Sequence, residues 1–96
     1  MDIGKTIKKL RTEKGWTQKL FAEKCGVTDI MVVYWEGGRS APTPRRLAAV
    51  AKAFGMSVTA FMLQAVTDED VPEGKRELYK ALVAPLQKML REEETE

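Results

Sequence analysis

The sequence predicts an all-α protein: a bundle of five short helices followed by one further C-terminal helix. Three observations carry that reading. From Asp2 to Gly55 one unit recurs, in which a residue able to cap a helix N-terminus is followed by a helical stretch and then by a glycine. Apolar residues return at intervals of three and four. No alternation of apolar and polar residues is long enough to compete as a strand. With 96 residues, the chain has room for one compact domain and one appended element.

Asp2 is placed to cap the first helix, whose stripe is Ile3, Ile7, Leu10 and Lys14, with Lys5, Lys8 and Lys9 turned outward. Thr17 and Thr28 open the second and third helices, and Gly15, Gly26 and either Gly37 or Gly38 supply the left-handed residue that ends each one. Thr43 caps the fourth helix. Pro44 takes its first helical position, where a missing N–H is harmless, and Leu47, Val50, Ala51 and Phe54 form its inner face. After Gly55 a fifth helix is expected from about Ser57, pointing Val58, Phe61 and Met62 inward.

The acids, proline and glycine of residues 67–74 read as a linker that separates a domain of residues 1–66 from a C-terminal segment of residues 75–96. In that segment Leu78, Leu82, Leu86 and Leu90, with Val83 and Met89 beside them, recur at helical spacing. Pro85 lies within the run, and a kink or break is expected there. An acidic tail of residues 92–96 follows.

Composition narrows the function classes. The apolar runs are far shorter than the ~20 residues of a membrane span, and the charged start has no signal-peptide core, so a cytoplasmic protein is expected. Cys25 is the single cysteine and histidine is absent, so neither a metal site nor a cofactor is expected. No nucleophile–base pair is evident, which argues against an enzyme. The net charge of +2 is unevenly distributed: residues 1–64 hold 11 Lys and Arg against 5 Asp and Glu (net +6), and residues 65–96 hold 5 against 9 (net −4). A basic N-terminal part suits a polyanionic partner.

Between the second and third helices, Gly26-Val27-Thr28 allows only a tight turn, which is helix-turn-helix spacing. At this point the sequence resembles the XRE, or lambda-repressor-like, family of DNA-binding domains over residues 3–63. The resemblance rests on Ile7, Leu10-Arg11, Gly15, Gln18, Phe21-Ala22, Gly26-Val27, Val32, Trp35-Glu36, Gly38, Pro42, Leu47, Ala51, Gly55 and Phe61 in register. Phe21, Ala22, Cys25, Val32 and Trp35 are the inward positions of helices two and three. The resemblance makes Arg11 and Glu36 a structural ion pair that holds the third helix in orientation.

The resemblance also implies a DNA-binding transcriptional regulator, most simply a repressor, with the third helix in the major groove. Its base-facing positions are Thr28, Asp29, Ile30, Met31, Val33 and Tyr34. This helix departs from the family in being mostly apolar, and three accounts of Ile30, Met31 and Val33 fit. They contact thymine methyl groups, with Asp29 accepting from cytosine and Tyr34 reaching a base or phosphate. They form a protein-binding patch with Leu20. Or they pack against the C-terminal helix, which then masks the DNA face. Phosphate contacts are expected from Gln18, Arg39, Ser40, Arg45 and Arg46, aided by the amide-rich starts of the second and fourth helices.

The apolar stripe of the C-terminal helix (Leu78, Leu82, Leu86, Met89 and Leu90) needs a partner surface. Homodimerisation, giving two recognition helices for a palindromic operator, is the simplest expectation, and folding back onto the same domain is the other. The competing function is a protein-interaction module, such as an antitoxin-like partner, that uses the apolar face of helices two and three.

Overall fold

The computed structural model describes residues 2–67 and 70–94, and within its last helix the side chains up to Met89 except that of Leu82. Of the expected dimerisation stripe, Leu82 and Leu90 therefore lie outside the described residues, as do the linker acids Asp68 and Glu69. Among the described residues, six α-helices run in the order α1 (Ile3–Glu13), α2 (Gln18–Cys25), α3 (Asp29–Glu36), α4 (Pro44–Ala53), α5 (Val58–Ala65) and α6 (Arg76–Glu94), with a 3-10 turn at Glu73–Lys75. Among the described residues there is no strand.

Each boundary has a local cause. The side chains of Asp2, Thr17, Thr28, Thr43 and Ser57 accept hydrogen bonds from the amides of Lys5, Leu20, Met31, Arg46 and Ala60, three residues ahead in every case. These bonds satisfy first-turn donors that have no partner inside the helix. Gly26 ends α2 at φ 70°, and Gly38 rather than Gly37 carries the positive φ, 77°, after α3.

The core is formed by Ile7, Leu10, Phe21, Ala22, Val32, Trp35, Val50, Ala51, Phe54 and Phe61. Trp16, Phe21, Phe54 and Phe61 stack through it in near-parallel pairs, with ring centroids 4.9 Å apart at Phe21–Phe54 and 6.2 Å apart at Phe54–Phe61. Gly4 explains how α1 and α3 come so close. A Cβ at this position would sit within the van der Waals shell of the Trp35 carbonyl oxygen and 3.4 Å from the Glu36 Cα. At the other end of the domain, the Asp2 amide donates to the Ala65 carbonyl at 3.1 Å and ties the start of α1 to the end of α5.

Two sequence expectations are corrected. Val58, expected to point inward, is 38% exposed, while Ala65 at the far end of α5 is buried. Of the kink or break expected at Pro85, the break does not occur: α6 continues through it as one helical span, the loss of one ladder donor not being enough to end the helix. No single helix among the described residues is long and apolar enough to cross a membrane; α4 and α5 together pass that test by composition but meet at 91° and supply much of the core.

Candidate nucleic-acid interface

The turn that sets α3 against α2 is built from three residues. Gly26 adopts the left-handed conformation, the Val27 amide donates to the Ala22 carbonyl at 3.0 Å, and Thr28 caps α3. Phe21 and Ala22 from α2 and Val32 and Trp35 from α3 bury the contact, and the small Ala22 side chain permits a close crossing.

The far end of α3 is fixed by charge. Arg11 Nε donates to Glu36 Oε2 at 2.7 Å and Arg11 Nη2 donates to Glu36 Oε1 at 2.9 Å, a bidentate pair whose side chains are 10% and 5% exposed. Arg11 Nη1 donates to the Trp16 carbonyl at 2.8 Å, and Gln18 Nε2 donates to Glu36 Oε1 at 3.2 Å. The Arg11–Glu36 pair thus joins α1 to the last residue of α3, its guanidinium also holding the α1–α2 turn and its carboxylate the first residue of α2. Burial of such a pair is costly unless its hydrogen bonds are complete, and no described buried side-chain polar atom here lacks a partner.

With both ends held, α3 presents one face to solvent. Ile30 is 55% exposed, Val33 42% and Tyr34 38%, with Leu20 of α2 at 40%. Asp29 is exposed at the start of the helix, its Oδ1 accepting from the Ile30 amide at 3.0 Å. Thr28 is exposed but its hydroxyl oxygen is engaged as the cap. Met31 is placed differently: it is half-buried, packs against the core, and receives the Arg46 guanidinium on its sulfur at 2.7 Å.

The basic residues after α3 flank this face. The Arg39 guanidinium lies over the Tyr34 ring, 4.6 Å from its centroid. Arg39, Ser40, Arg45 and Arg46 are all exposed. Arg45 and Arg46 at the start of α4 line a groove of about 430 Å³ whose other wall is Cys25, Gly26 and Val27 at the turn. Burial pushes the Cys25 thiol up to about 11, so it stands as a neutral, unreactive wall residue near pH 7. Gln18, expected on phosphate, is half-buried with its amide on Glu36.

Helix α6 does not cover this face. It docks on α5, where the Tyr79 hydroxyl donates to the Val66 carbonyl at 3.1 Å, Gln64 Nε2 donates to the Gln87 carbonyl at 2.8 Å, and Gln87 Nε2 donates to the Leu63 and Val66 carbonyls. The account in which the C-terminal helix masks α3 is therefore not the arrangement seen.

Around α3, four pairings escaped the sequence reading: Gln18 with Glu36, Arg11 with the Trp16 carbonyl, Arg39 with Tyr34, and Arg46 with Met31. Each joins residues of different elements or an element and a loop, and none follows from periodicity.

Comparison with known proteins agrees with this architecture. Residues 7–61, more than half of the chain, match the helix-turn-helix family. A competence pilus inhibition repressor from Acinetobacter baylyi is 35% identical over 65 residues, which make up 68% of this chain and 59% of that protein. The chain thus spans less than two thirds of that relative's length. No solved structure gives a match.

Proposed function

This chain belongs to the helix-turn-helix family, in its XRE or lambda-repressor-like branch, and on that premise we propose that it is a sequence-specific regulator of transcription, most simply a repressor. It acts by binding double-stranded DNA in the cytoplasm rather than by catalysis. The match to a protein named as a repressor supports the regulatory reading.

The observation that carries the proposal is the exposed face of α3, held at both ends by the Thr28 cap and the Arg11–Glu36 pair and flanked by Arg39, Arg45 and Arg46. Placed in the major groove, Ile30 and Val33 meet thymine methyl groups, Asp29 accepts from the cytosine amino group, and Tyr34 reaches a base edge or phosphate. Met31, held under Arg46, supports this face more than it reads. Arg39, Ser40, Arg45 and Arg46 bind phosphates, which fixes register without choosing sequence. Two copies about a two-fold axis then address the two halves of a palindrome.

The direct test replaces thymine by deoxyuridine, position by position, in a duplex the protein retains. Loss of affinity at the one or two positions opposite Ile30 and Val33, abolished in an Ile30→Ala variant, supports methyl recognition. Affinity unchanged at every position contradicts it and favours a protein partner for the apolar face.

A further inference from the structure

A second basic surface lies at the C-terminal ends of α1, α2 and α4. Lys14 caps the end of α1, Lys24 stands in the last turn of α2 and Lys52 in the last turn of α4, and all three are exposed. The ammonium groups of Lys14 and Lys24 lie 5.5 and 4.7 Å from the centre of the half-buried Trp16 ring. They are therefore within about 10 Å of each other, close to the screening length of dilute salt, and repel. A lysine in a last turn suits the helix dipole, which accounts for Lys24 and Lys52 singly but not for the gathering of like charges.

These lysines border a channel. Lys24 and Lys52 line a groove of about 350 Å³ together with Ala49 and Ala53. Ala49 also lines the groove of about 430 Å³ between the α2–α3 turn and the start of α4, so the two grooves adjoin. Arg45, Ala49 and Lys52 follow one face of α4 at helical spacing, with a cation at either end, roughly 10 Å apart along the axis, and a small residue between them. No acid lines either groove, and α4 contains none. Glu23, exposed and next to Lys24 in the chain, lies outside the lining of both.

Two features decide which kind of polyanion fits. Trp16 is not an open platform for a nucleic-acid base, because Phe54 stacks on it at 5.8 Å, nearly parallel, and two lysines lie over it. A phosphate backbone would leave the apolar lining of Val27, Ala49 and Ala53 unused, whereas an extended peptide sets alternate side chains on that lining and its carboxylates on the cations. We infer that the joined grooves bind an extended acidic peptide segment of a partner protein, its carboxylates on Lys24, Lys52 and Arg45 and its small apolar side chains over Ala49. The site shares Arg45 and Arg46 with the surface proposed for duplex DNA but does not depend on that reading.

The full chain, without DNA, is used to select from a displayed library of random ten-residue peptides, and sequences with Asp or Glu at alternate positions are enriched. Fluorescence anisotropy then measures the affinity of the enriched peptide. Lys24→Glu combined with Lys52→Glu lowers it by about tenfold, and Ala49→Gln, which fills the groove without changing the charge, lowers it as well. Lys8→Glu combined with Lys9→Glu makes the same charge change on exposed positions of α1 and alters it by less than about twofold. Circular dichroism of each variant matches the wild type, since the replaced lysines are exposed. Duplex affinity falls no further in the Lys24–Lys52 variant than in the Lys8–Lys9 variant. Four results each overturn the inference: no enrichment of acidic peptides, equal peptide loss in the two lysine variants, wild-type peptide binding by Ala49→Gln, or a duplex loss in the Lys24–Lys52 variant as large as its peptide loss. The last would assign the grooves to duplex flanking the half-site.

Discussion

Glu36 receives Arg11 through two hydrogen bonds of 2.7 and 2.9 Å, although the two residues lie 25 positions apart and on different helices. With Gln18 on the same carboxylate, this relationship sets where α3 stands relative to α1 and α2. Arg11→Ala leaves Glu36 buried without its cation and is expected to lower stability by ~3–5 kcal/mol. Gln18→Ala removes one bond to a charged acceptor and is expected to lower it by roughly 1–2 kcal/mol. Urea titration followed by tryptophan fluorescence checks both. An Arg11→Ala midpoint equal to that of the wild type would show that the pair does not hold the fold.

Gly4→Ala gives a second stability test in which two effects compete. Alanine is a better helix former than glycine by about 1 kcal/mol. The added methyl group, however, meets the Trp35 carbonyl and the Glu36 backbone, neither of which can swing aside. Overpacking of this kind costs about 1–3 kcal/mol, so steric pressure is expected to win and the unfolding midpoint to fall. A raised midpoint would mean that α1 and α3 separate easily.

The local grammar of the chain made most of the fold legible. Five capping side chains and the glycines that follow the helices act within a few residues, so helix boundaries could be read directly. The core followed from the spacing of Ile7, Leu10, Phe21, Val32 and Phe54. Facing within α3 was harder to read, because Ile30, Met31, Val32, Val33, Tyr34 and Trp35 are all apolar or aromatic and periodicity cannot choose among them. Only packing shows that Met31 turns inward under Arg46 while Ile30 and Val33 face out. Helix α6 was misleading in a similar way: the leucine stripe dominates its pattern, yet Tyr79 and Gln87 supply the hydrogen bonds that dock it.

Cys25 gives a pH prediction. Burial raises its thiol from 9.0 to about 11, so between those values the unfolded chain has released a proton that the folded chain keeps. This contribution to stability is complete below about pH 9 and declines as pH rises toward 11. At pH 8 a thiol-specific reagent should label native protein slowly and urea-unfolded protein quickly. Equal rates in both states would contradict the assignment.

Arg39 and Arg45 are expected to contribute through phosphate. Replacing either with alanine should weaken binding to all duplexes alike and make the plot of log affinity against log salt shallower by about one unit. Arg39 also braces the Tyr34 ring, so Arg39→Ala but not Arg45→Ala should in addition blur any preference read by Tyr34. An unchanged salt slope for either variant would remove that arginine from the interface.

The central claim is that the exposed face of α3 reads sequence in duplex DNA. Selection from a library of random duplexes by the full chain at physiological salt, followed by sequencing of the retained fraction, tests it most directly. The account predicts an enriched palindrome whose half-sites lie about one helical turn, ~34 Å, apart, with thymines where Ile30 and Val33 meet the groove. Retention without enrichment, or no retention, would contradict it and assign the apolar face of α3 to a protein partner.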